Sequence, residues 1–300
     1  MSAATESFAP TALSQVGLVV HPRRRLDEAL ETVREWSRRH DVSLGQVEVA
    51  GQNRRVADPI SAADCDLVIA LGGDGTALAA LHAAASVSRP VLSIACGSIG
   101  ALSSVAVDDL AWALDEVRAG RWAPVALAGL EASSEGRVLT VALNDFVVSR
   151  AGGGQVVVAI SADGVLYARV AGDGVVVATP HGSSAYSMAA GGPLLAPGAD
   201  GFVATALAAH GASCPPLVLA PESCLELTIE AGYGGLRFEL DGQPSELQAE
   251  RVELRLRRGY ATRVELAGEE PPLTGLRRRG LVHDSPRVKI REGRSLHDPG

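Results

Sequence analysis

Apolar and polar positions follow two different rhythms along this chain. In roughly the first 120 residues, short unbroken apolar runs alternate with stretches of helical spacing. Residues 16–20 (VGLVV) precede LDEALETVREWSRRH, and a second strand is expected at 44–49. The run 67–71 precedes ALAALHAAA, and 91–95 is followed by DDLAWALDEVRAG, with Asp108 or Asp109 placed to start its helix. Apolar runs without a polar face fit strands covered on both sides, and the intervening helices provide the cover. This half therefore predicts an open, mainly parallel, Rossmann-like α/β sheet.

From Trp122 the rhythm changes. Valine-rich segments such as VLTVALNDFVVSR, QVVVAISADGVLYARV, CLELTIEAG and ERVELRLRRGYATRVEL are separated by glycine turns about every 8–12 residues. That is an antiparallel pattern, and it predicts a β-sandwich. One helical interruption falls around SSAYSMAAGGP, opening at Ser183 or Ser184. The expected organisation is α/β plus all-β: residues 1–121 an α/β domain, 122–270 a β-sandwich, and 271–300 a basic, turn-rich tail. That tail is expected to carry a short helix near Leu276, to pack in part on the α/β domain, and to be disordered over its last ten residues.

Composition narrows the class. Three hundred residues with 47% hydrophobic content can bury large cores, which fits a globular, enzyme-sized protein of two domains. A net charge of −8 gives no reason to expect nucleic acid or an anionic membrane surface as partner, so an anionic ligand needs local positive groups. The segment MSAATESFAP has neither a basic region nor an apolar core, and no apolar run reaches spanning length, so the expected compartment is the cytoplasm. Cys65, Cys96, Cys214 and Cys224 show no C-x-x-C pair and no zinc-like spacing, which reads as buried reduced thiols.

Candidate chemistry centres on LVIALGGDGTAL, a strand, a tight turn and a helix. Gly72, Gly73 and Gly75 lack Cβ atoms, so their backbone N–H groups can approach a phosphate, and the helix from Thr76 aims its positive end there. Asp74 is the odd residue. A carboxylate in such a loop repels phosphate unless it binds a metal or takes a proton from an attacking hydroxyl; otherwise it is a plain helix cap. Neither G-x-x-x-x-G-K-[ST] nor G-x-G-x-x-G is present. Past the first strand, Arg23, Arg24 and Arg25 lie on the carboxyl edge where open α/β sheets hold ligands, either solvated or with one reaching a phosphate.

The GGDGT stretch closely resembles the signature of the NAD kinase and diacylglycerol kinase superfamily. Three later blocks resemble the NAD kinase family in order and spacing. These are Asn144-Asp145, where the family usually has Asn-Glu; Gly172 to Pro193, reading GDGVVVATPHGSSAYSMAAGGP; and Asp241-Gly242-Gln243. The resemblance implies phosphoryl transfer to the 2′-hydroxyl of the adenosine ribose of NAD, giving NADP. It makes Asp74 the general base and Gly72, Gly73, Gly75 and Thr76 the cradle for the transferring phosphoryl. Asn144, Asp145, Asp173, Ser184, Ala185, Tyr186, Ser187, Ala189 and Gln243 become nucleotide contacts. ATP or polyphosphate is the implied donor, with Mg2+ held mostly by donor phosphates and water, no metal-ligating side chains, and a homodimer or homotetramer as the assembly. His181 and the loop CGSIGALSS depart from the family pattern. A lipid kinase sharing GGDGT, which needs an acyl cleft but not the TPHGSSAY block, and a non-catalytic nucleotide-binding relative are the alternatives.

Overall fold

The computed structural model describes residues 13–51, 53–211 and 213–288. The expected disorder of the last ten residues and the reading of MSAATESFAP therefore lie outside the described residues. The described residues up to Glu269 form one compact unit and those from Glu270 a second.

The first half folds as its pattern predicts. Strands Gln15–Val20, Ser43–Val47, Leu67–Gly72 and Pro90–Ala95 lie parallel. Successive side chains of a strand point to opposite faces, and here both faces are covered. Val16, Leu18, Leu67, Ile69, Leu92 and Ile94 pack with Leu30, Val33, Trp36, Leu110 and Leu114 from helices Asp27–His40 and Leu110–Arg118. The alternate residues Val19, Val68, Ala70 and Val91 pack on the other face against Ala77, Ala80, Leu81 and Ala84 of helix Asp74–Ala85. The alanines bring that helix close to the sheet, and its first turn then sits at the carboxyl end of Leu67–Gly72. Helix Leu110–Arg118 is preceded by a 3-10 turn, Val107–Asp109, and Asp109 at its N-cap makes no side-chain cap.

The second half is the expected sandwich. Its six-stranded sheet includes Asp145–Arg150, Gly174–Ala178, Phe202–Leu207 and Leu236–Leu240. Facing it are Val156–Ala162, Val165–Gly172 and Cys224–Glu230, together with part of Arg251–Leu266. Phe146, Val148, Val175, Val177, Phe202 and Phe238 from one sheet meet Val158, Ile160, Leu225, Leu227, Val252 and Leu254 from the other in one core.

Arg251–Leu266 also does something that its alternation does not reveal. It runs antiparallel to Cys224–Glu230 and Trp122–Ser134, then pairs in parallel with Pro90–Ala95 at Thr262 and Arg263. The α/β sheet and one layer of the sandwich are thereby a single hydrogen-bonded sheet of 12 strands. The second unit carries the short helix expected near Leu276, Pro272–Arg278, with Pro in its first turn. Arg278–Glu270 (2.9 Å) and Arg277–Asp284 (2.6 Å) ion pairs brace it. Among the described residues no helix is long and apolar enough to cross a membrane.

Candidate functional site

The glycine turn ends strand Leu67–Gly72 and opens the helix at Asp74, with Gly73 as its extended N-cap. Gly73, Asp74, Gly75 and Thr76 line a cleft of about 310 Å³ together with His21, Arg24 and Gln243. The loop after the first strand, the glycine turn and the Asp241-Gly242-Gln243 hairpin therefore converge. Of the three arginines past the first strand, it is Arg24 that enters: its guanidinium lies against Gly73 and donates to the Cys96 carbonyl (2.8 Å). His21 Nδ1 accepts from the backbone N–H groups of Arg23 and Arg24 (3.1 Å each) and so shapes this turn. Burial, then the Arg24 and Arg23 charges, lower the His21 pKa, which keeps the imidazole in the neutral form that can accept. Arg54 steadies the same loop by donating to the Arg24 carbonyl (2.7 Å).

Asp74 is turned toward the CGSIGALSS loop. Its Oδ2 accepts from Ala101 N–H (2.8 Å), and its Oδ1 from Leu102 and Ser103 N–H (3.0 Å each). Burial alone raises its pKa, but these backbone bonds and one to the Ser103 side chain outweigh it and hold the carboxyl below the usual range. A Cβ on Gly100 would lie 2.0 Å from Oδ1, so only glycine lets the loop close over the carboxylate. Arg24 thus holds the start of this loop and Asp74 its end. Thr76 is buried, with its side chain against Gly72 and its N–H given to the Gly73 carbonyl (2.9 Å).

The second cluster is built on residues 143–145. Asp241, in the left-handed region at φ 52°, accepts from the N–H groups of Leu143 (3.0 Å), Asn144 (2.5 Å) and Asp145 (3.2 Å). Thr179 then donates its hydroxyl to the Leu143 carbonyl (2.7 Å) and its N–H to that of Asn144 (2.9 Å). The side-chain oxygen of Asn144 and Oδ1 of Asp145 are buried and meet no hydrogen-bond partner among the described residues. Asp145 is 3% exposed. Burial first, then the Asp241 and Glu239 charges, push its carboxyl up to about 7.

The sign of this shift makes a prediction. A carboxyl whose folded value is raised stabilises the fold fully below its unfolded value, near 4, and that contribution is lost as pH rises to about 7. Asp145→Asn keeps the shape without the charge. Its unfolding free energy relative to the parent should improve by about 2 kcal/mol more at pH 8 than at pH 5. Denaturant unfolding at the two pH values checks it; an equal difference at both would place the carboxyl in an ordinary environment.

The TPHGSSAYS segment differs from the helix expected at Ser183 or Ser184. A 3-10 turn spans Gly182–Ser184, and a four-residue α turn, Tyr186–Ala189, follows. Ser183 spends its hydroxyl locally, donating to Pro180 O (2.7 Å) and accepting from Leu195 N–H (3.0 Å), which fixes the chain without a longer helix. Ala185, Tyr186 and Ala189 are exposed, and Ser184 is half-buried. Ser187 points inward instead, its hydroxyl bonded to that of Thr205 (3.0 Å). Asp173 is paired with Arg150 Nε (2.5 Å), and the same guanidinium donates to Gly152 O (2.8 Å). That arginine supplies positive charge that the sequence reading did not assign to this place. Also missed was Asp241 as the acceptor for residues 143–145; the sole signal is a D-G pair, which any hairpin supplies.

Comparison with known proteins finds a separate match for each half of the chain. The ATP-NAD kinase N-terminal domain matches residues 10–122, and the ATP-NAD kinase C-terminal domain matches residues 143–266. NAD kinase 1 of Streptomyces coelicolor is 36% identical over 116 residues, 37% of this chain and 32% of that protein. NAD kinase of Clostridium beijerinckii is 31% identical over 160 residues, 52% of this chain and 56% of that protein. The chain thus aligns with between about a third and just over half the length of these curated relatives. Among solved structures, yeast NADH kinase complexed with NADH has a TM-score of 0.75 at 23% identity, covering 92% of this chain and 89% of that one. An NAD kinase from Archaeoglobus fulgidus in complex with ATP has a TM-score of 0.69 at 23% identity, covering 87% and 96%. These two share the fold. With both halves matched in order by the two domains of a single family, the chain belongs to the ATP-NAD kinase family.

Proposed function

We propose that this chain transfers the terminal phosphoryl of ATP to the 2′-hydroxyl of the adenosine ribose of NAD, giving NADP, with polyphosphate as an alternative donor. The observation that carries this reading is the convergence of Arg24, the Gly73–Thr76 turn and Gln243 on one cleft, because a donor loop and a nucleotide-binding hairpin must meet for phosphoryl transfer. Residues 1–121 present the donor and residues 122–270 hold the acceptor. The Gly73 and Gly75 amides and the Arg24 guanidinium oppose the negative charge of the transferring phosphoryl. Asp74 lies at the hydroxyl that attacks and accepts its proton. Asn144, with an unpartnered carbonyl oxygen, and Asp145 take the ribose and adenine edges, while Ala185 and the half-exposed ring of Tyr186 form the wall on which a base lies. Asp173, with Arg150, meets the nicotinamide half.

A divalent cation neutralises charge on the donor phosphates. No cluster of three or more acidic, histidine or cysteine side chains fit to hold a metal occurs among the described residues, and the Asp74 oxygens are already engaged. The residues present therefore fit an ion carried by phosphate and water. Association through the β half, as homodimer or homotetramer, is supported by the edge strand Val165–Gly172, where Val165 and Leu166 are more than half exposed. Solution mass by light scattering tests it.

Purified protein with NAD, ATP and magnesium should form NADP, measured with an NADP-specific dehydrogenase. Absence of NADP together with phosphorylation of a lipid would replace this reading with the lipid-kinase one. Arg24→Ala should raise KM for ATP about tenfold, the worth of a hydrogen bond to a charged group, and change KM for NAD less. Equal effects on both would move Arg24 away from the donor.

A further inference from the structure

We infer that His82, which no sequence motif singles out, is a positioning residue that ties the glycine-turn helix to the residues 143–145 on which the acceptor pocket hangs. His82 lies about two turns past Asp74 on the same helix. Its Nε2 is 2.7 Å from Oδ2 of Asp241, and its Nδ1 is 3.2 Å from the Tyr260 hydroxyl, with the two rings edge to face at 5.8 Å. One neutral tautomer satisfies both contacts: Nε2–H donates to the carboxylate, and Nδ1 accepts from the phenol. The Asp241 side chain is 8% exposed. Its two oxygens receive His82 on one side and the N–H groups of Leu143, Asn144 and Asp145 on the other. A buried carboxylate with four donors fixes the orientation of each.

The chain of contacts continues outward. Asp241 N–H donates to the Asp145 carbonyl (2.9 Å), and Leu143 and Asn144 hold Thr179, whose hydroxyl accepts from Gly182 N–H (3.0 Å). Asn144 and Asp145 are thus anchored directly, and Gly182 at the head of the SSAY segment through Thr179, to a carboxylate that the GGDGT helix holds by one imidazole. If His82 releases Asp241, the glycine turn keeps its own hydrogen bonds, while residues 143–145 lose their hydrogen-bonded tie to the helix and keep the apolar packing of Leu143. The effect should therefore fall on the acceptor and spare the donor.

This inference rests on the kinase reading for the identity of the ligands, and the two are tested separately. NADP formation by the parent chain reports on the kinase reading. For the relay, NAD and ATP affinities of the full chain are measured by titration calorimetry, with KM values alongside, for the parent, His82→Leu, His82→Gln and Tyr260→Phe. The expected result is an NAD affinity about tenfold weaker in His82→Leu, an ATP affinity within about twofold of the parent, and kcat changed less than KM for NAD. His82→Gln, whose amide N–H can still reach Asp241, should recover most of the loss. Tyr260→Phe, which removes only the hydroxyl, should fold like the parent and shift NAD affinity in the same direction by a smaller factor. Unchanged NAD affinity in His82→Leu, an equal loss for NAD and ATP, or failure of glutamine to recover any of the loss overturns the relay. Should His82→Leu not fold, a weaker NAD affinity with ATP affinity kept in Tyr260→Phe supports the hydrogen-bonded arrangement, and an unchanged NAD affinity or an equal loss for NAD and ATP in Tyr260→Phe overturns it.

Discussion

Asp74→Asn should lower kcat by two to four orders of magnitude, about the range expected for loss of a positioned proton acceptor. The structure adds a second consequence. The carboxylate accepts three backbone N–H bonds from residues 101–103, and an amide offers only one oxygen, so either orientation turns an NH2 group toward at least one of those donors. The loop should loosen, and KM should rise along with the fall in kcat. The two roles separate in steady-state kinetics: a kcat within tenfold of the parent, with only KM raised, would leave the carboxylate as a loop anchor alone. The pH dependence follows from the same bonds. Because they hold the Asp74 pKa below the ordinary carboxylate range, the group is ionised throughout neutral pH, and no loss of rate from its protonation should appear until well into the acid range. A carboxylate held below the usual range is a weaker base than a free one, which suits a loose phosphoryl transition state that demands little proton removal early on. Asp145, pushed up to about 7 a short distance from Asp241, is a carboxyl that titrates in the neutral window. Two carboxylates whose environments drive them apart are a recurring way of separating roles within one site.

Gly182→Ala is the second large effect, and it works through shape. A Cβ there would lie 2.0 Å from the Asn144 carbonyl oxygen and 2.4 Å from its carbon. Both are backbone atoms, so no side-chain rotation relieves the overlap. The strain must be taken up by residues 143–145, which Asp241 holds, or by the 3-10 turn, which Thr179 holds. Overpacking of this kind costs about 1–3 kcal/mol, enough to lower Tm by roughly 2–5 °C in a chain of this size. KM for NAD should rise at least about tenfold, because the yielding parts are the two walls of the proposed acceptor pocket. Thermal unfolding and steady-state kinetics check this. A parent-like Tm would show that one of the two turns is free to move.

How far these features could be read from the sequence depends on whether the information was local. The run from Leu67 into the glycine turn was legible because an apolar strand, three glycines and an alanine-rich helix each dictate their own conformation. Helix Asp74–Ala85 begins only two residues earlier than expected. The TPHGSSAYS block was legible as a turn, but not as a 3-10 turn, since the Ser183 hydroxyl finds Pro180 and Leu195 only once the chain has doubled back. Ser187 was assigned to the pocket by position in a motif; its neighbour Thr205 comes from a strand that pairs across Gly174–Ala178, which no local pattern announces. Asp241 and His82 are further cases. Their meaning lies in a meeting between residues far apart in the chain, and a lone D-G pair or a lone histidine on an alanine helix gives no hint of it. Arg24 was legible as a candidate because strand ends are where α/β sheets bind ligands, but choosing it over Arg23 and Arg25 required the turn that His21 imposes.

The strand Arg251–Leu266 carries a consequence for biogenesis. Its parallel pairing at Thr262 and Arg263 supplies a neighbour for Pro90–Ala95, whose outer edge otherwise meets only the two-residue bridge Val105–Ala106. During synthesis the nascent α/β half must wait, with that edge uncovered, until more than a hundred further residues have left the ribosome. Such a delay favours chaperone capture and slow, topology-limited maturation. A polypeptide halted near residue 121 should accordingly accumulate in inclusion bodies, and co-expression of the missing segment should rescue it.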